Sequence, residues 1–378
     1  MTLIAGYFKD GCHILMGDLL VSDENQADKE FVFPTVGKIS KRELLNGNFS
    51  PSHLCQKVIL TSPKLAISWA NKKIYAKSFV KSIIDANVHN NPSYEALLDI
   101  YNEIVGQGNM SIIGLYRDGA EMRIFDFESW PVDPPDPGYR YFKAAGSGYG
   151  TLLGVIPELH EEITSGSVNN LEKGIATAVH LSTALLSQEI ISQLSLRDLF
   201  GVGYEILHPL GSGLAKFNNL TYVFWTVEEV DSRNWRMLPF PFLTFNYSYK
   251  RDILIIRSVR ASSVPNSNSC KIDSDEIHAI SPIQRILNPD ELKDYSPASL
   301  NSEWICNIFI WKDCQNHMGT HATFGRYTNQ TSPIIWKDEF SKNAGINVDT
   351  QFIKTSISKV ALHASEMGGC AGAGNATD

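Results

Sequence analysis

Apolar positions alternate from the first residues of the chain. Leu3, Ala5 and Tyr7 interleave with Ile4, Gly6 and Phe8, Lys9-Asp10-Gly11 supplies turn chemistry, and an apolar run resumes from Cys12 to Met16. This pattern predicts a β-hairpin that returns at Gly17-Asp18 and brings Asp18 beside Thr2. A polar connection over 23–52, punctuated by Pro34, Gly37, Gly47 and Pro51, leaves room for one short strand at 30–33. Residues 56–70 read as a second hairpin around Ser62-Pro63-Lys64. Ile74, Phe79, Ile83 and Ile84, then Tyr94, Leu97, Leu98, Tyr101 and Ile104, recur at helical spacing and predict helices over 71–86 and 93–105.

A third hairpin is expected at 111–116 and 121–127, turning at Arg117-Asp118-Gly119. A proline-rich loop (130–138), a strand (141–145), a helix (149–162), a long helix (171–194) and a strand (204–207) complete the first half. Strands on both sides of helix pairs predict an α+β fold for residues 1–210, arranged as a four-layer αββα sandwich. Past Gly211, strands at 220–229, 253–259 and 305–311, a non-helical aromatic run at 235–249 and a Ser/Asn/Pro linker at 262–274 predict a β-rich carboxy-terminal extension over 211–366. It closes with a helix at 350–365 and a flexible Gly-rich tail at 367–378.

Composition narrows the classes. With 43% hydrophobic and 20% charged residues among 378, the chain can bury a sizeable core and is not of disordered type. A net charge of -8 without Lys/Arg clusters argues against nucleic acid as a partner. No apolar run reaches membrane-spanning length, and Lys9 and Asp10 interrupt any signal-like segment. Six irregularly spaced cysteines fit free thiols, and a cytoplasmic location is expected. Cys314, His317 and His321 could supply three zinc ligands, but a structural site wants four, so a loop after a strand is the expectation and no metal or cofactor is expected.

The chemistry concentrates at the first hairpin. A threonine hydroxyl needs a base to become a nucleophile, and an α-amine with an ordinary pKa of about 7.7 to 8.0 can be that base when it belongs to the same residue. Thr2 fits if Met1 is removed, which a small second residue permits. With MGDLLVS, QKVILTSPKLAISWAN, AAGSG and LRDLFG in this order, the first 210 residues resemble proteasome β-subunits and their bacterial relatives, the N-terminal-nucleophile (Ntn) hydrolases. The resemblance implies Thr2 as nucleophile, Asp18 and Lys57 as its charged partners, and Ser147 and Asp198 as groups orienting the amine. It further implies the backbone N–H of Asn71 as oxyanion hole and Trp69 as a wall of the substrate pocket.

The activity implied by this resemblance is that of a threonine-type protease cleaving peptide or other amide bonds, and the implied assembly is a homo-oligomer such as a ring. Two alternatives belong to the same fold: a small-molecule amidase, and a non-catalytic scaffold or sensor that keeps Met1.

Overall fold

The computed structural model describes the chain except residues 1, 25–29, 41–43, 45, 47, 106–108, 134–136, 157–168, 232–233, 264–269, 293–298, 328–330, 338–344 and 373–378. The opening hairpin is β1 (Ile4–Lys9) and β2 (Cys12–Asp18). The polar excursion behind it forms β3 (Leu20–Glu24), β4 (Glu30–Phe33), β5 (Gly37–Ser40) and β6 (Phe49–Leu54), with β3 paired to β6 and β4 to β5. The second hairpin, β7 (Val58–Ser62) and β8 (Leu65–Asn71), leads into helices α1 (Lys73–Asp85) and α2 (Tyr94–Val105). Next come β9 (Met110–Asp118), β10 (Glu121–Phe127), β11 (Trp130–Pro131) and β12 (Tyr139–Ala145). Helices α3 (Tyr149–Val155), α4 (Asn170–Ser192) and α5 (Leu194–Arg197) precede β13 (Tyr204–Leu210) and β14 (Gly213–Lys216).

The second half is rich in strand: β15 (Leu220–Asp231), β16 (Asn234–Met237), β17 (Leu243–Lys250), β18 (Ile253–Ser263) and β19 (Cys270–Ile280). It continues with β20 (Trp304–Lys312), β21 (Met318–Arg326), β22 (Ile334–Lys337), β23 (Gly345–Val348) and helix α6 (Thr350–Gly372).

Three larger sheets organise these strands. Six strands run β11-β12-β1-β2-β13-β14, four run β10-β9-β8-β7, and seven include β19-β18-β17-β15-β20-β21 with β16 on β15. The β15–β20 pair is parallel, whereas the other pairings are antiparallel. Ile4, Leu15, Val58, Ala66, Ile113 and Leu207 pack between the six- and four-stranded sheets. On the far side of the four-stranded sheet, Phe79, Val80 and Ile83 of α1 and Leu97 of α2 cover Ile67, Trp69 and Ile112.

The αββα sandwich expected from sequence is overturned by this arrangement. Among the described residues the protein is mostly β, 49% strand and 27% helix, in many small antiparallel sheets with six helices and no αββα sandwich of two large antiparallel sheets. The physical reason is legible in α4. Gly174 to Thr183 are buried without a break, so this helix has no solvent face along that stretch. One continuous core joins Ile14 and Met16 of β2 to Ile175 and Val179 of α4, and these to Tyr222 and Ile308 of the seven-stranded sheet. A helix apolar all round belongs inside a protein, between two sheets. That core also crosses residue 210, because the second half supplies the other cover of α4.

Further differences concern single elements. The linker expected at 262–274 is largely the edges of β18 and β19, with 264–269 outside the described residues. The helix expected over 149–162 is described as α3 to Val155, its remainder from 157 lying outside the described residues. The tail expected to be flexible continues α6 to Gly372, and 373–378 lie outside the described residues. Among the described residues no helix is long and apolar enough to cross a membrane.

Candidate functional site

Register sets the first contact. Ile4 pairs with Gly17 across the opening hairpin, and the Asp18 N–H donates to the Leu3 carbonyl at 2.9 Å, so the residue before Leu3 must lie against the Asp18 side chain. Thr2 does so, its hydroxyl donating to Asp18 Oδ1. The same oxygen accepts from the Leu3 N–H at 3.0 Å, and Oδ2 accepts from the N–H groups of Leu20 at 3.2 Å and Gly201 at 2.9 Å. Asp18 is fully buried, and each carboxylate oxygen is met by donors, as a buried charge requires.

Lys57 arrives from the other sheet, just before β7. Its Nζ lies 2.5 Å from Thr2 Oγ1, 3.4 Å from Asp18 Oδ1 and 2.7 Å from the Leu20 carbonyl. Gly17 makes the crossing possible, because a Cβ there would sit 2.9 Å from the Lys57 Cβ. Thr2, Asp18 and Lys57 have exposures of 0%, 0% and 1%, which makes them a sealed cation, anion and hydroxyl. The Trp69 ring lies with its centroid 4.8 Å from the Lys57 Nζ. Trp69 is itself buried, and its indole N–H donates to the Gln56 carbonyl at 3.2 Å. In this structure it supports the lysine from within the α1/α2 core.

The turn after β12 holds the other side of Thr2. The Thr2 N–H donates to Ser147 Oγ at 3.2 Å, and Ser147 Oγ donates to the main-chain carbonyl of Asp198 at 2.9 Å. Asp198 therefore meets Ser147 through its backbone. Gly146 adopts φ +102° where any Cβ would overlap the Thr2 carbonyl, and the Gly148 N–H donates to that carbonyl at 3.2 Å. Only glycine combines that backbone angle with so close an approach.

Asn71 closes β8 at φ +75°, two residues before α1 begins. Asparagine is among the few non-glycine residues that adopt this conformation readily. Its side-chain amide donates to Asn109 Oδ1 and Ser111 Oγ, each at 3.2 Å, which anchors the end of the strand. The remaining candidates lie elsewhere. The Cys314 N–H donates to Glu229, His317 Nδ1 is 2.7 Å from Asp313, and His321 sits on β21. No group of three metal-ligating side chains occurs among the described residues.

Three buried carboxylate and amide groups around the site lie outside the sequence expectations. Glu205 Oε2 accepts from the N–H groups of Lys57 at 2.7 Å and Val58 at 3.0 Å, fixing the main chain that carries the lysine. Its other oxygen takes Lys216 Nζ at 2.6 Å and the Tyr249 hydroxyl at 3.0 Å. Gln56, fully buried, spans to the carbonyls of Asp252 and Ile280 at 2.7 and 2.6 Å. Glu189 on α4 accepts from Thr35, from Ser195 Oγ at 3.0 Å and from the Val202 N–H at 2.9 Å. It thereby shapes the turn whose Gly201 N–H reaches Asp18. Complete burial pushes the Glu189 carboxyl up to about 7, against the opposing pull of these donors. An acidic residue inside an apolar strand (YEILHPL) or inside an otherwise apolar helix (LLSQEII) is the signal that could have found the two carboxylates.

No family model matches the chain, and no curated protein matches it either.

Proposed function

We propose that the chain is a threonine-type N-terminal-nucleophile hydrolase acting on peptide or other amide bonds. The observation that carries this reading is the buried contact of Lys57 Nζ with Thr2 Oγ1 at 2.5 Å, with Asp18 on the same hydroxyl. Burying an ion pair around one hydroxyl costs desolvation that a merely structural position does not require.

The reading requires cleavage of the bond before Thr2, which converts its N–H into a free α-amine held by Ser147. That amine then takes the Oγ1 proton as the oxygen attacks the amide carbonyl carbon, and the Lys57 ammonium stabilises the oxygen as its proton leaves. Negative charge moves to the carbonyl oxygen, for which the N–H at Asn71 is the proposed donor, with the amino-terminal end of α1 behind it. Collapse of the tetrahedral intermediate breaks the C–N bond, the amine's proton goes to the leaving nitrogen, and water hydrolyses the Thr2 ester to release the acid. Assembly into a homo-oligomer belongs to the same proposal and is tested by native mass measurement.

One observation favours a second reading, a non-catalytic scaffold or sensor that keeps Met1: Thr2 has no exposed surface in the full chain. Two measurements separate the readings. The intact mass of the purified protein is expected to lack methionine, and a panel of fluorogenic peptides and simple amides is expected to be hydrolysed by the native protein and not by Thr2→Ala. Retained methionine with no turnover supports the scaffold. Turnover undiminished in Thr2→Ala overturns the proposed nucleophile.

A further inference from the structure

A cavity of about 400 Å³ lies where β7 and β14 meet the β17–β18 turn and the segment after β19. One wall is apolar, from Ile59 and Leu60 of β7 and Leu214 of β14. The charges around it are unequal in their pairing. Lys216 is matched by the buried Glu205 at 2.6 Å, and Arg285 is matched twice, by Asp252 at 2.6 Å and Glu291 at 2.7 Å. Arg251, at the turn between β17 and β18, lines the same cavity with no ionic partner among the described residues. Arg251 is exposed, and its φ of +59° puts the turn in the left-handed region. Gln284 and Pro282 complete the lining on the side of the segment after β19.

The cavity therefore offers an apolar wall and one cation without an ionic partner among the described residues. We propose that it binds the carboxyl-terminal end of an apolar peptide, or an N-acyl amino acid: carboxylate on Arg251 and side chain against Ile59, Leu60 and Leu214. The planar fork of a guanidinium can meet a carboxylate with two parallel hydrogen bonds. The volume falls at the small end of ordinary ligand pockets.

The cavity is joined to the candidate active site through Glu205. Lys216 and Tyr249 line the cavity and are both bonded to Glu205 Oε1, while Glu205 Oε2 holds the N–H groups of Lys57 and Val58. Occupancy is thus read by the main chain carrying Lys57. On the proposed hydrolase reading, on which this clause alone rests, the ligand is the acid product of amide cleavage and the site adjusts the enzyme to it.

The test is calorimetric titration of the full chain with N-acetyl-leucyl-leucine and with its carboxy-terminal amide, repeated on Thr2→Ala so that turnover and the candidate active site play no part. Saturable one-to-one binding is expected for the acid, weakened about tenfold or more for the amide and for Arg251→Asn, in proportion to a lost charge-assisted hydrogen bond. Leu214→Trp, which fills the cavity from a strand at the sheet edge, is expected to abolish binding while the circular dichroism spectrum is unchanged. Hydrogen exchange in the peptide covering residues 55–61 is expected to slow with ligand. Equal binding of acid and amide, binding undisturbed by both Arg251→Asn and Leu214→Trp, or no binding at millimolar ligand would each overturn the site. None of these results bears on whether Thr2 is a nucleophile.

Discussion

Replacing Asp18 with asparagine tests whether the cation and anion beneath Thr2 act as one unit. The carboxylate takes the Thr2 hydroxyl, three main-chain N–H groups and the Lys57 ammonium on two oxygens, all out of water. Asparagine keeps one acceptor oxygen and turns the other into a donor. If the donor faces Leu20 and Gly201, two buried N–H groups meet a third, and Lys57 stays buried at 1% exposure without a counter-charge. Breaking one side of such a pair costs about 3 to 5 kcal/mol.

Lys57→Met should cost less, near the lower end of that range, because four hydrogen-bond donors remain on Asp18. The double variant carries no buried charge. Its loss is expected to fall short of the sum of the single losses by about 2 kcal/mol, within the coupling range for contacting residues. The assay is chemical denaturation of all four proteins at one pH and in one amino-terminal state, read as midpoint shifts at constant slope. Losses that add to within about 0.5 kcal/mol would refute the pairing.

Neighbouring residues carry further expectations. Glu189, raised from its ordinary 4.5 to about 7, binds its proton more tightly in the folded chain than in the unfolded one. Its stabilising contribution is therefore complete below about pH 4.5 and lost as pH rises through 7, amounting to about 3 kcal/mol. Glu189→Gln should remove that slope, so a stability difference between variant and native protein that stays constant from about pH 5 to 8 would contradict the assignment. Gly146→Ala forces a Cβ into the Thr2 carbonyl at φ +102°, and is expected to cost about 1 to 3 kcal/mol in backbone strain and about 100-fold in kcat/KM through displacement of Thr2. Native-like turnover in that variant would separate Thr2 from the chemistry. Ser147→Ala removes a single hydrogen bond to the Thr2 nitrogen, so a fall of about five- to tenfold in kcat/KM, with a shifted acidic limb of the pH profile, is expected on the hydrolase reading.

The amino-terminal hairpin is legible in the sequence because its turn residues and alternation fix the register, and register alone places Asp18 on Thr2. Lys57 is legible as a cation opening an apolar strand. The architecture is misread at α4: its Ala, Ser and Thr positions look tolerant of water, yet Ser182, Thr183 and Ser187 are buried against neighbouring elements. Ser182 and Tyr222 are bonded at 2.7 Å across two halves of the chain, and local pattern carries no record of a partner 40 residues away. Strand β15 shows the same limit. Tyr222 and Phe224 face the α4 core while Val223 and Trp225 face the one beneath α6, so both faces are apolar and the period of two disappears. At the sheet edge, β19 presents Lys271, Asp273, Asp275 and Ile277 as exposed positions, and its polar composition reads as linker. Glu205 and Glu189 stand out in the sequence as acids inside apolar segments, but the main-chain donors that they hold are not revealed by composition.

The proposed function stands on one step, in which Thr2 attacks with its hydroxyl and accepts the proton on its own nitrogen. Incubation with a peptide epoxyketone, and tandem mass spectrometry of the amino-terminal peptide afterwards, tests it directly. One stoichiometric adduct joined to both Oγ1 and the α-nitrogen of Thr2, abolished by Lys57→Met, is the expected result. An unmodified amino-terminal peptide still beginning with methionine, in a preparation that hydrolyses amides, would contradict it.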